Sequence, residues 1–209
     1  MTTRAYNNEK RRRRQAELKA GIAAATAELH ASKGVIATSY ADIARHAGVS
    51  LPTVYSHFPT QDELLRGCTA HVVAQAPALP IDRILAAPDL PAAARLLVAA
   101  MEAQHLHFEP WSAWREDRVI PFLGEMAAGI RQSKVELIAA LLARHDVPGV
   151  HREQVAAWES VLSFDLWHRL VREHGLGRAA VRRILVQWLL AVVGPTPAPS
   201  PTQGPRRRT

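Results

Sequence analysis

The sequence predicts an all-α protein. Sustained alternation of branched and aromatic residues between tight turns, the mark of strands, is nearly absent. Apolar residues instead recur three and four positions apart along most of the chain. Hydroxyl residues, glycines and prolines fall where such helices would start and stop.

From Glu9 to Ala31 the chain is rich in Ala, Arg, Glu and Leu, and Leu18, Ile22, Ala25 and Leu29 place an apolar stripe on a first helix. Gly34, tolerant of positive φ, ends it. Ser39, with Asp42 three residues on, has the form of a capping box and opens a short second helix through His46, with Ile43, Ala44 and Ala47 facing inward and Gly48 closing it. Ser50 is a good N-cap for a third helix running to about His57, and Pro52 sits in its first turn, where a missing amide donor costs nothing. After Pro59, Thr60 and Glu63 repeat the capping-box spacing ahead of Leu64, Leu65, Cys68 and Val72, the apolar edge of a fourth helix that must stop before Pro77.

The stretch 77–91 is proline-rich and reads as a linker with at most a short helix. Beyond it, Leu96, Leu97, Ala100, Met101, Gln104, His105 and Phe108 share one helical face. Val135, Ile138, Leu141 and Leu142 mark another helix, ending near the Pro148-Gly149 turn. Two amphipathic helices follow, one bearing Val155, Trp158, Leu162, Leu166 and Leu170, the other Val181, Ile184, Leu185, Trp188, Leu189 and Val192, with a turn at Gly175 to Gly177 between them. From Gly194 the chain alternates proline with small residues and ends in Arg206, Arg207 and Arg208, the composition of a disordered tail. The expected organisation is a head over residues 1–60, a helical body over 61–194 with residues 61–76 as the connecting helix, and a tail over 195–209.

With 48% apolar and 22% charged residues among 209, the composition is that of a globular protein. The longest apolar stretches fall short of the roughly eighteen residues that span a bilayer, and the basic N-terminus lacks the apolar block of a secretion signal, so a cytoplasmic location without membrane association is expected. Cys68 is the single cysteine, which excludes an internal disulfide and a cysteine-built zinc site and suggests a buried structural thiol. The net charge of +7 is unevenly spread: +4 lies in residues 1–66, +3 in the arginine tail, and residues 67–205 carry thirteen charges of each sign. A polyanion would therefore be met by the first third, where Arg4, Lys10, Arg11, Arg12, Arg13 and Arg14 crowd the start.

The segment Ser39 to His57 carries the most information. Two short helices joined by a glycine turn make a helix-turn-helix if a small residue sits where they touch and a glycine where the chain reverses, and Ala44 and Gly48 supply these. Ile43, Val49 and Val54 would form a miniature core. Leu51, Thr53, Tyr55, Ser56 and His57 would then point outward from the third helix, a mixture of hydrogen-bonding groups and apolar contact suited to base edges in a major groove.

The run TSYADIARHAGVSLPTVYSHFPTQDELL, within a match from Ile22 to Leu65, resembles the DNA-binding region of the TetR family of bacterial regulators. In register are Asp42-Ile43-Ala44, Ala47-Gly48-Val49-Ser50, Thr53-Val54-Tyr55 and His57-Phe58. The resemblance implies a three-helix head, a connecting helix, and a helical body that binds a small molecule and forms a homodimer through its last two long helices. It implies DNA contacts from Ser39, Ser50, Leu51, Pro52, Thr53, Tyr55, Ser56, His57, Thr60 and Gln61, with Arg12 and Arg13 added on charge. The dimer interface would fall on Trp158, Leu162, Leu166, Leu170, Ile184, Leu185, Trp188 and Leu189. One departure stands out: a lysine that reaches phosphate is common in the family at the start of the fourth helix, whereas Gln61 followed by two acids stands here, so phosphate grip from that corner should be weaker.

A two-fold dimer would read a palindromic operator in double-stranded DNA. Residues suited to a mostly apolar effector are Met101, Gln104, His105, Phe108, Trp111, Trp114 and Phe122, which equally suit a plain core. No cofactor is expected. His105 and His107, two apart on a helix, point in opposed directions and cannot readily chelate one metal ion, and Asp165 with His168 has the spacing of an ordinary surface pair. Two other readings stay open: a DNA-binding regulator governed by abundance or a protein partner, and, more remotely, a metal-dependent enzyme.

Overall fold

The computed structural model describes residues 3–145, 147 and 152–193, with side chains from Asn8 onward. The arginine tail, the side chain of Arg4 and the turn expected at Pro148-Gly149 lie outside the described residues. Among the described residues the regular elements are helical: α1 Thr3–Lys33, α2 Tyr40–His46, α3 Leu51–His57, α4 Gln61–Ala74, α5 Ile81–Leu85, α6 Leu90–Ser112, α7 Pro121–Arg144, α8 Arg152–Val161, α9 Phe164–His168 and α10 Arg178–Val193. A single 3₁₀ turn spans Glu116–Arg118, and a π-helical turn spans Arg169–Glu173.

The chain parts into two compact units. One comprises the residues up to Leu79 together with Glu102–Arg131, the other Pro80–Met101 and the residues from Gln132 onward. The head expected over residues 1–60 lies wholly in the first unit, where α4 and the stretch Glu102–Arg131 join it.

In the first unit, α1 buries only its second half: Ile22, Ala23, Ala25 and Ala27 are buried, while residues 8–20 are exposed. Leu18, expected in the stripe, lies in this exposed stretch and is 37% exposed. Two apolar clusters hold the unit. Ile22, Ala23, Ile43, Ala44, Val54, Phe58 and Leu64 form the centre of the head, with Val49 and Tyr40 packed beside them. Ala27, Val35, Leu65, Cys68 and Val72 form the second, against which Phe108, Trp111, Ile120, Phe122 and Leu123 pack. Phe58 lies so close to α4 that a Cβ on Gly67 would stand 2.5 Å from its Cε1, which explains a glycine inside that helix.

In the second unit, Leu90, Ala93, Ala94, Leu97 and Val98 are the buried residues along α6, while Leu96, Ala100 and Met101 are half-buried. An alanine-rich helix offers two apolar stripes about 100° apart, and the one bearing Val98 faces inward. The one long helix expected over Val155 to Leu170 is broken. Ser163 leaves the helical path and accepts the Leu166 amide at 3.3 Å as the N-cap of α9, and the following turn closes with π geometry, the His174 amide reaching the Arg169 carbonyl at 2.9 Å. A hydroxyl residue within an apolar stripe competes with helix continuation, and here it wins. Trp158 donates its indole N–H to the Leu189 carbonyl at 2.9 Å, pinning α8 to α10.

Candidate nucleic-acid interface

Local chemistry fixes each end of the two short helices. At α2 the Ser39 Oγ accepts the Asp42 amide at 3.1 Å while Asp42 Oδ2 accepts the Ser39 amide at 3.2 Å, a complete capping box. The same carboxylate oxygen accepts from Lys33 Nζ and from Ser39 Oγ, each at 2.8 Å. These bonds, that from Lys33 foremost, hold the Asp42 carboxyl far below its ordinary pKa. Gly48 takes φ +66°, the left-handed conformation that a reversing chain needs, and the Val49 amide bonds back to the Ala44 carbonyl at 3.0 Å. At α3 the Ser50 Oγ accepts the Thr53 amide at 3.3 Å and lies 2.7 Å from Thr53 Oγ1, with Pro52 in the first turn. Thr60 Oγ1 accepts the Glu63 amide at 3.2 Å and so caps α4.

The outcome is a short helix with one anchored face and one open face. Val54 is the buried residue of α3. Leu51, Pro52, Tyr55 and Ser56 are exposed, and Thr53 and His57 are half-buried. Tyr55 stacks flat on Tyr40, their ring centroids 4.5 Å apart and the planes 14° from parallel. The Tyr40 hydroxyl donates to the Phe58 carbonyl at 3.1 Å, and burial, aided by Tyr55 and Glu63, raises its pKa. Ser56 donates its hydroxyl to the Thr53 carbonyl at 2.8 Å. Ser39, Ser50, Thr60 and Gln61 are exposed around these helices, and Arg12 and Arg13 are exposed along α1, Arg13 paired with Glu17 at 2.9 Å. Gln61 begins α4 without a lysine's charge, but Asp62 beside it is offset by Arg66 at 2.7 Å.

The turn that delivers α2 is held from far along the chain. Glu116 accepts the Val35 amide at 2.7 Å on one carboxylate oxygen and the Ile36 amide at 2.9 Å on the other. Gly34, at φ +81°, leaves space for this grip, since a Cβ there would stand 2.8 Å from Glu116 Oε1. Arg115 adopts the left-handed conformation at φ 59°, strained for a side-chain-bearing residue, immediately before Glu116. Nothing in the sequence pattern signals this contact.

The residues expected to line an effector pocket are placed mainly in packing. Phe108, Trp111 and Phe122 lie against the α1 and α4 cluster. The Trp111 indole donates to the Ala27 carbonyl at 2.8 Å, and that of Trp114 to the Ala31 carbonyl at 3.2 Å. Gln104 donates to the Pro77 carbonyl, His105 is buried, and Met101 is half-buried. His107 Nε2 stands 2.9 Å from the Val72 carbonyl oxygen. A cavity of about 130 Å³ lies in the head, lined by His30, Thr38, Tyr40, Gln61 and neighbouring apolar residues, below the few hundred Å³ of a drug-sized site. Next to it, burial pushes the His30 pKa down to about 4, Glu116 opposing the shift, and pushes the Cys68 thiol up to about 11.

Of the residues expected at a dimer interface, Trp158, Leu162, Leu185 and Leu189 are buried. Leu166, Leu170 and Ile184 are half-buried, and Trp188 is 43% exposed. Val192, on the same stripe of α10, is exposed too. Among the described residues no group of three metal-ligating side chains comes together, and no helix is long and apolar enough to cross a membrane.

Residues 22–68 match the family model of bacterial regulatory proteins, tetR family. The crystal structure of the multidrug binding protein EbrR complexed with imidazole is similar at 23% identity, over 90% of this chain and 93% of that one, with a TM-score of 0.47. No curated protein matches.

Proposed function

We propose that the chain, whose residues 22–68 match the family model of bacterial regulatory proteins, tetR family, is a DNA-binding regulator of transcription that acts as a homodimer on a palindromic operator, as a repressor released by a small molecule. The carrying observation is α3: one buried valine anchors it, while Leu51, Tyr55 and Ser56 project from the head. Apolar contact from Leu51 suits a thymine methyl, and the hydroxyls suit base edges or phosphate. The exposed arginines of α1 add sequence-independent attraction to the phosphates.

Dimerisation through α10 is supported by the Trp188 and Val192 surface, an apolar stripe continuing past what its own unit buries. Release by an effector is supported by the grip of Glu116, Trp111 and Trp114 on α1 and the turn after it. A ligand that moved the segment 108–123 would move that turn, shifting the population of DNA-competent heads by its differential affinity.

The second reading, a regulator without a small-molecule ligand, is favoured by a different observation: the aromatic candidates for a pocket are spent on packing against α1 and α4. A thermal-shift screen separates the two, since an effector at a hundred times its Kd stabilises by about 2.7 kcal/mol.

The DNA-binding surface is tested with a duplex selected from a random pool. Tyr55→Ala should weaken binding by about tenfold or more while the melting temperature stays near that of the parent chain. Unchanged affinity would remove α3 from the interface.

A further inference from the structure

We infer that Tyr40, which lies outside the recognition helix, is a positioning residue of the DNA-reading surface and acts by preorganising Tyr55. The inference rests on the DNA-binding reading of α3. Tyr55 is 49% exposed, so its ring on a bare helix surface would be free to move among rotamers. The Tyr40 ring removes that freedom by covering one face at 4.5 Å in a near-parallel stack.

Tyr40 can serve as a platform because it is itself held twice. Its ring packs against the head cluster that contains Ile43 and Val54, and its hydroxyl is tied to the Phe58 carbonyl at the end of α3. The first residue of α2 is thereby held in place as the platform on which the Tyr55 ring lies. Tyr55 is left with its outer face and hydroxyl for DNA. A side chain already ordered does not incur the ordering cost on binding, which corresponds to about fivefold in affinity.

The test is a double-mutant cycle on the full chain, reading the affinity of a duplex selected from a random pool by fluorescence anisotropy. Tyr40→Leu should weaken binding about fivefold. The same substitution in a Tyr55→Ala background should change nothing further, because Tyr40 then has nothing to position. Equal losses in both backgrounds, or no loss in the first, would overturn the inference. Ring-proton chemical shifts of Tyr55 give a readout that does not depend on DNA: they should lose their ring-current displacement in Tyr40→Leu and keep it in Tyr40→Phe. Should Tyr40→Leu fail to fold, Tyr40→Phe decides, since an altered Tyr55 shift there would contradict a stack held by ring contact. A parent chain that selects no sequence removes the DNA reading and this inference together; one that selects a sequence but shows no coupling removes the inference alone.

Discussion

One carboxylate oxygen of Glu116 lies 2.7 Å from the backbone nitrogen of Val35, joining residues 81 positions apart at the turn that leads into α2. Its other oxygen holds Ile36. Val35 is buried, so the amide has little access to water if the carboxylate is removed. Glu116→Ala should therefore cost about 2 kcal/mol in urea unfolding, in line with a charge-assisted bond to a buried donor. Glu116→Gln should recover only part of this, because its amide nitrogen cannot accept from the second N–H. Equal stability of the parent and Glu116→Ala would show that the grip contributes nothing.

His30 makes stability depend on pH. Burial holds its native pKa at about 4, whereas an unfolded histidine titrates near about 6.5. Between those values the unfolded chain binds the proton and the native chain does not. The contribution is full above the unfolded pKa and is lost as pH falls through this window, by about 3 kcal/mol in total. Urea unfolding at pH 7, 6, 5 and 4 should show a steeper decline for the parent chain than for His30→Gln, and parallel profiles would refute the assignment.

Gly67 gives a prediction of opposite sign to helix propensity. Alanine for glycine within a helix ordinarily stabilises by about 1 kcal/mol. Here the added methyl meets the buried Phe58 ring at 2.5 Å, and Lys19 lies over that ring at 5.0 Å. Gly67→Ala should lower stability by about 1–3 kcal/mol through overpacking. A higher melting temperature would mean that the ring yields freely.

Trp188 tests the proposed assembly. It is exposed on a helix whose Val181, Leu185 and Leu189 are buried. Trp188→Glu should leave helix content unchanged and convert the dimer to monomer in sedimentation at micromolar concentration. A dimer that survives the substitution would place the interface elsewhere.

The head was legible because its signals are local. Ser39, Ser50 and Thr60 each cap the helix expected to follow, and Gly34 and Gly48 each adopt the positive φ that ends a helix. Val54 is buried and Leu51, Tyr55 and Ser56 are exposed, as the helix-turn-helix reading expects, whereas Thr53 and His57, expected to point outward, are half-buried. What escaped the sequence depends on contacts between distant residues or on competition between local forces. Glu116 is one acid among nineteen, and only the folded chain brings it to Val35. Trp111 and Trp114 have the size and polarity of pocket-lining groups, but their indoles find α1 carbonyls instead. The stripe from Trp158 to Leu170 continues in spacing across Ser163, where capping chemistry overrides it. Tyr40 and Tyr55 sit on different helices, so neither period nor motif pairs them.

The most direct measurement is sequencing of DNA fragments selected by the chain from a random pool. Two copies presenting α3 on one face should enrich a palindrome whose half-sites lie about one helical turn, or about 34 Å, or a multiple of it, apart. Tyr55→Ala should enrich that palindrome far more weakly. A pool left unchanged by the parent chain, or one that Tyr55→Ala enriches equally well, would contradict the assignment of α3 as the reading helix.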